Sequence, residues 1–280
     1  MATRRNFLKT MAAISAGSMV LPLSSFKFGS NTPFGLILYT VRDEMKKDAS
    51  GTLAKIAEIG YQVVEAAGYD KRKFYGLAPL EFKKLVESYG LKLVSSHHSL
   101  SDKNYKEIVE DAALAGLEFA VYPWMMSGNA DYFKKKAEEL NKYGEEFKKA
   151  GIRFCYHNHD FEFKTVDNQL PYDILLKNTN PEYVSFEMDL YWTTKAGFKP
   201  IEYFTANSGR FPLWHVKDMK NDEKKSFAEV GNGTIDFASI FSKKDTSGMK
   251  YYFVEQDTCV DHPPLESIKI SLDYIKKQGF

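Results

Sequence analysis

The sequence predicts an α/β fold: a single (β/α)8 barrel over 31–280, preceded by an export signal over 1–30. Three observations predict it. From Phe34 onward, short β-branched or aromatic runs alternate with longer Lys/Glu-rich amphipathic stretches, the rhythm of a parallel sheet. The runs number eight, at 34–39, 61–66, 91–96, 118–123, 152–157, 183–189, 211–217 and 250–255, which is the count that closes a barrel. All six histidines lie at or just beyond the carboxyl ends of these runs, the ends that converge on one face of such a barrel.

The elements follow in order. Thr3-Arg4-Arg5-Asn6-Phe7-Leu8-Lys9 precedes an apolar stretch from Met11 to Leu23, and a charged start before a short apolar stretch is a signal-peptide pattern. The paired arginines before Phe7-Leu8-Lys9 resemble the twin-arginine signal, which an export receptor reads and which passes folded proteins. The expected location is therefore periplasmic or exported. No clean Ala-x-Ala marks a cleavage site, and no apolar run reaches the ~20 residues that span a bilayer. Amphipathic stretches at 43–59, 79–89, 102–115 and 131–150 read as helices. Ile59-Gly60-Tyr61, Tyr89-Gly90-Leu91, Ala115-Gly116-Leu117 and Ala150-Gly151-Ile152 repeat one device. Glycine there takes the left-handed conformation that ends a helix, and an apolar residue opens the next strand. No linker rich in Pro, Gly or Ser divides 34–280.

Composition narrows the partners. A hydrophobic content of 44%, with 15% aromatic, is ample for a large core, and 38 basic against 37 acidic side chains leave a net charge of +1. Such a chain offers no basic field to a polyanion, so nucleic acid is excluded as the expected partner. Whether the chain forms a homo-oligomer is open. Cys155 and Cys259 are too few for a disulfide framework, and Cys155 reads as a small buried hydrophobe within a strand. No G-x-G-x-x-G follows the first strand and no G-x-x-x-x-G-K-[ST] occurs, so dinucleotide and P-loop readings have no support.

The late strands carry the chemistry. His157 and His159 point the same way from the fifth strand, because side chains alternate; Glu187 and Asp189 do so on the sixth, His215 and Lys217 on the seventh, and Glu255 ends the eighth. Each residue alone has a bland reading. A strand-end histidine is often only hydrogen-bonded; Glu187 could pair with Lys217 or Arg153; Lys217-Asp218 could be an ion pair at a loop entrance. Four successive strands delivering ligand-competent side chains at the same end favour a divalent metal site. Mn²⁺ is the leading expectation, with Mg²⁺, Co²⁺ or Zn²⁺ also suited to mixed imidazole and carboxylate ligands.

Six motifs give 34–280 a family look: Leu38-Tyr39-Thr40-Val41-Arg42-Asp43, Tyr156-His157-Asn158-His159, Asp189-Leu190-Tyr191-Trp192, His215-Val216-Lys217-Asp218, Gly231-Asn232-Gly233-Thr234-Ile235-Asp236 and Glu255. With them the chain resembles the xylose-isomerase-like TIM barrel superfamily, in particular its sugar (phosphate) isomerase/epimerase branch. That superfamily also holds ketose 3-epimerases, inosose dehydratases and an apurinic endonuclease. The resemblance implies one divalent metal held by residues ending strands five to eight, here His157, Asp189, His215 and Glu255. Two departures stand out. Ketose epimerases have a glutamate where this chain has His157, and they carry a histidine where it has Trp192, whose apolar face suits stacking on a sugar ring.

The chemistry such relatives share is proton removal from a carbon next to a carbonyl. The enolate needs stabilising charge, and a poised side chain must move the proton. The expected function is a metal-dependent sugar isomerase or epimerase acting on a keto-sugar. The alternatives are a lyase or dehydratase of 3-keto-glycosides or keto-polyols, and a non-catalytic sugar-binding barrel. Glu162, Lys217 and Glu255 are the expected acid/base and enolate-stabilising groups. Arg42, Glu65, His97, Trp124, His159 and Trp192 are expected to face the carbohydrate, with His159 also a candidate second acid/base.

Overall fold

The computed structural model describes residues 32–280, so the predicted export signal at 1–30 lies outside the described residues. Eight strands form the barrel: β1 (Phe34–Ile37), β2 (Val63–Ala66), β3 (Lys92–His97), β4 (Phe119–Tyr122), β5 (Arg153–His157), β6 (Val184–Asp189), β7 (Leu213–Val216) and β8 (Tyr251–Val254), while Tyr69–Asp70 with Lys73–Phe74 and Asp218–Met219 with Phe227–Ala228 make two short antiparallel pairs. Each neighbour pair is parallel and β1 pairs with β8, which closes the sheet into the expected barrel. Strand bounds agree with the sequence reading to within two residues.

Helices fill the connections. The stretch expected as one helix over 43–59 is two, Arg42–Lys47 and Ala49–Ile59. Asp48 leaves helical geometry between them (φ −154°), and its Oδ1 accepts the Gly51 N–H at 2.9 Å, capping the second helix. The other expected helices are Pro79–Ser88, Tyr105–Ala115 and Ala130–Lys149. Gly60, Gly90, Gly116 and Gly151 all have positive φ, between 70° and 108°, as their junctions require. No helix among the described residues is long and apolar enough to cross a membrane.

Strand alternation divides the core into two layers. Ile37, Val63, Val94, Phe119, Val121, Cys155, Leu213 and Phe253 fill the barrel lumen. Their neighbours Phe154, Tyr156, Phe186, Trp214 and Tyr252 face the helices instead, where Trp214 stacks on Phe204 with ring centroids 4.7 Å apart. Burying each such ring contributes about 1.5–3 kcal/mol. The lumen parity continues upward: Val63 leads to Glu65, Cys155 to His157, Leu213 to His215 and Phe253 to Glu255. β3 breaks this rule usefully. Its register against β2 shifts between Val64 and Glu65, a bulge that turns both Val94 and His97 inward although an odd number of residues separates regular strand faces. Both cysteines are free, with Cys155 buried.

Candidate active site and metal centre

The carboxyl ends of the strands bring together Glu65, His97, His157, Glu187, Asp189, His215, Lys217 and Glu255. Asp189, His215 and Glu255 present ligand atoms within 4.8 Å of one another, and His97, His157, Glu187 and His215 form a second such group. His215 belongs to both. The four expected ligands therefore converge incompletely: His157 falls in the second group, with its Nε2 3.8 Å from Asp189 Oδ2. Lys217 Nζ lies 2.9 Å from Asp189, 2.8 Å from Glu255 and 2.7 Å from Asp257.

Local structure holds these groups in place. Asp189 ends β6 and caps the helix Leu190–Lys195, its Oδ1 accepting the Trp192 N–H at 2.8 Å. Asn158 Oδ1 accepts the Asp189 N–H at 3.1 Å, and its amide donates to Thr193 Oγ1. At the other seam of the barrel, Thr40 Oγ1 accepts the Gln256 N–H at 2.9 Å and ties the end of β1 to that of β8.

The charges in this lumen are mutually dependent. Burial would raise Glu187, but His215 and His97 outweigh it and hold the carboxyl at about 2. Burial also works against the charged form of Glu255, yet Lys217 and His215 keep it well below the usual carboxylate range. For Asp189 burial prevails over Lys217 and His215 and lifts it to about 6. Burial disfavours the Lys217 ammonium, but Asp189, Asp257 and Glu255 hold its pKa well above the ordinary value. His97 is raised to about 9 because Glu65 and Glu187 overcome its desolvation, and His215 is raised for the same kind of reason. His157 is pushed well down by burial and by the charge of His215; His159 falls to about 4 through burial and Lys217.

A divalent cation fits this donor set. Four buried carboxylates, Glu65, Glu187, Asp189 and Glu255, balance against one lysine only if buried imidazoles are also charged. Glu65 Oε2 and Glu187 Oε1 are buried without a hydrogen bond, and Asp189 Oδ2 has, within hydrogen-bond distance, only the ion-pair contact with Lys217 Nζ at 2.9 Å. Isolated buried charge is costly, and a cation among imidazole nitrogens and carboxylate oxygens removes that cost.

The remaining expected residues divide. His159 packs against His157 and Trp192, at 5.0 and 5.7 Å between ring centroids, and its Nδ1 is buried without a partner. Trp192 lies under Lys217 Nζ, which is 5.8 Å from the ring centre. Trp124 is 53% exposed and reaches only the edge of Phe161. Arg42 donates to the Tyr39 carbonyl and covers the Tyr39 ring. Glu65 and His97, expected to meet a carbohydrate, are bonded to each other and to His215 and Glu187.

Glu162 is not in the cluster. One oxygen accepts the Tyr156 hydroxyl and the other the His159 N–H at 2.9 Å, and Tyr156 faces the helices. Burial raises its pKa to about 7, as an acid catalyst would need, but both oxygens are engaged in closing the loop after β5. Two of the six strand-end histidines also lie elsewhere. His98 points outward between Tyr69 and Phe74, and His262 meets Glu229. Glu187 and Asp257 are the groups the sequence reading left out of the site. The i, i+2 spacing of Glu187 and Asp189 was the available signal for the first; nothing local marked the second.

Asp218 forms no ion pair with Lys217. Its carboxylate accepts the N–H groups of Met219, Gly231, Gly233 and Ile235 at 2.8–3.1 Å. Thus the Gly231–Asp236 motif is a loop folded around one carboxylate, and a Cβ at Gly233 would collide with it.

Fold and matched residues together define the class: the chain matches the family model of xylose isomerase-like TIM barrels over residues 53–278 and belongs to that family. It is 22% identical over 272 residues to the inosose dehydratase of Geobacillus kaustophilus, covering 80% of this chain and 85% of that one. A sugar phosphate isomerase/epimerase from Parabacteroides distasonis superposes with a TM-score of 0.80 at 29% identity, covering 88% of this chain and 98% of the other. An IolI protein with a bound zinc atom superposes at 0.69 with 14% identity, over 89% of this chain and 99% of that one, a likeness of fold.

Proposed function

We propose that this barrel is a divalent-metal-dependent lyase that removes a proton beside the carbonyl of a keto-polyol or keto-sugar and then expels a β-oxygen substituent. The observation that carries the reading is one-sidedness. The acidic ligand groups and Lys217 gather at the lumen mouth, while Glu162, the candidate for a second carboxylate across the substrate, is bonded to Tyr156 and His159. Inverting a carbon requires proton transfer on both faces; elimination does not.

His157, Asp189, His215 and Glu255 are the residues that would hold the cation. When bound, it supplies Lewis-acid polarisation of the substrate's carbonyl and adjacent hydroxyl oxygens. Lys217 remains an ammonium among its three carboxylates and steadies negative charge on substrate oxygen. His159, neutral and with a free ring nitrogen, takes the proton from carbon. The C–H electron pair becomes the new C=C bond, the β C–O bond breaks, and the leaving oxygen takes up a proton. In dehydration the net loss is water. Trp192 forms the apolar wall on which a ring can stack, and Trp124 stands further out at the rim.

The names of the inosose dehydratase relatives agree with this outcome. Isomerisation or epimerisation is the second reading, favoured by the 29%-identical Parabacteroides barrel. One experiment separates them. Metal-replete protein in deuterated water is given a panel of inososes, ketoses and 3-keto-glucosides. Growth of conjugated-enone absorption with loss of the substituent supports the lyase. Deuterium incorporation into isomerised sugar without enone would transfer the proposal to the second reading. Binding with neither exchange nor elimination removes the enzyme reading. His159→Gln should slow the active reaction by ~10²–10⁴-fold, the usual contribution of a positioned acid–base group, with metal content unchanged.

A further inference from the structure

His157 and His215 each serve two neighbours with two different ring nitrogens. His157 Nε2 lies 3.8 Å from Asp189 Oδ2, while its Nδ1 lies 3.1 Å from Glu187 Oε2. His215 Nδ1 lies 2.6 Å from Glu255 Oε2, while its Nε2 lies 2.8 Å from Glu65 Oε1. In both rings, one nitrogen faces a member of the expected ligand set and the other faces a fully buried carboxylate outside it. A neutral imidazole has one N–H and one lone pair, so a carboxylate that accepts the N–H leaves the lone pair on the opposite nitrogen.

We propose that Glu187 and Glu65 are positioning residues that fix His157 as its Nδ1–H tautomer and His215 as its Nε2–H tautomer, so that His157 Nε2 and His215 Nδ1 are the atoms offered to the cation. This rests on the metal-site reading above. Outer carboxylates of this kind orient ligand imidazoles and increase their basicity. His97 completes the arrangement. Its Nε2 lies 3.1 Å from Glu65 Oε1 and 3.0 Å from Glu187 Oε2, so one N–H is shared between the two carboxylates. Its ring also stacks on His215, 5.4 Å between centroids and 8° from parallel, which limits rotation of that imidazole. The rival arrangement uses the deeper nitrogens. His97 Nε2, His157 Nδ1 and His215 Nε2 surround Glu187, and a cation there would demand the opposite tautomers of His157 and His215. It would also leave Asp189 and Glu255 outside the ligand set.

The test uses the full chain labelled with ¹⁵N-histidine and titrated with zinc. Imidazole ¹⁵N shifts report directly which nitrogen carries hydrogen and which binds metal. Zinc on His157 Nε2 and His215 Nδ1, with hydrogen retained on the partner nitrogens, is the expected result. Zinc on the deeper nitrogens overturns this inference but leaves metal binding intact; no zinc bound at all overturns both. In parallel, Glu187→Gln and Glu65→Gln should each weaken zinc binding ~10–100-fold in competition with a chromophoric chelator. Wild-type zinc affinity in both folded variants overturns the positioning role. The shift measurement on wild type decides the matter if either variant fails to fold.

Discussion

Glu162 illustrates what a single side chain conceals in sequence. Its place a few residues beyond His157 makes it readable as a carboxylate near the site, but its direction depends on Tyr156. Alternation sends that tyrosine to the helix side, where its hydroxyl needs a partner, and the loop after β5 folds back to supply one. Parity likewise made His157, Asp189, His215 and Glu255 legible, whereas His97 reaches the lumen through a bulge that no local pattern announced. Glu162 also carries a pH prediction. Burial raises its acid from 4.5 in the unfolded chain to about 7, so the folded state binds the proton more tightly. Its contribution to stability is complete below the unfolded value and is lost as pH rises through the folded one. Glu162→Gln mimics the protonated acid, accepting from His159 and donating to Tyr156, without titrating. The melting temperature of the variant relative to wild type should therefore rise between pH 5 and pH 8. Parallel melting curves across that range would refute the assignment.

At the scale of elements, the eight barrel strands and four helical stretches were legible because apolar periodicity and glycine stops agree along the chain. The split of 43–59 at Asp48 was not, since a capping aspartate inside a polar helical face has no distinct hydrophobic signature. The loop from Asp218 to Asp236 was visible as a glycine motif but its reason was not: four N–H groups from two separate stretches, Met219 and 231–235, converge on the Asp218 carboxylate. This loop follows β7 directly after Lys217, so its shape bears on how that lysine is presented. Asp218→Ala leaves those donors without an acceptor. Because the loop can open to water, the expected loss is that of one poorly satisfied buried group, about 1–3 kcal/mol in chemical denaturation. Hydrogen exchange should accelerate at the amides of Met219, Gly231, Gly233 and Ile235 more than at strand amides of β7. Uniform acceleration across the barrel would mean that Asp218 stabilises the whole fold and not this loop.

For the whole molecule, closure of the barrel is what turns scattered strand ends into one site. Residues as distant as Glu65 and His215, 150 positions apart, come within 2.8 Å because β2 and β7 belong to one ring. A surface hollow of about 400 Å³, lined by Lys148, Arg153, Glu182 and Ser185, opens near the amino-terminal starts of β5 and β6, at the opposite end from this chemistry. A buried site of this kind, built from imidazoles and carboxylates of several strands, is complete only after the barrel has closed. That gives a physical motive for the export route proposed from Arg4 and Arg5, since the twin-arginine system carries folded proteins. The prediction is that a chain tagged at its carboxyl terminus reaches the periplasmic fraction, and that Arg4→Lys with Arg5→Lys traps it inside. Lysine preserves charge and the apolar stretch from Met11 to Leu23, so a signal read only for charge and hydrophobicity would work equally well with either residue. Cell fractionation with metal analysis of the exported pool distinguishes the routes. Unchanged export of the double-lysine variant would exclude a receptor that reads the arginine pair, whereas retention of a folded, metal-loaded barrel in the cytoplasm is the expected outcome.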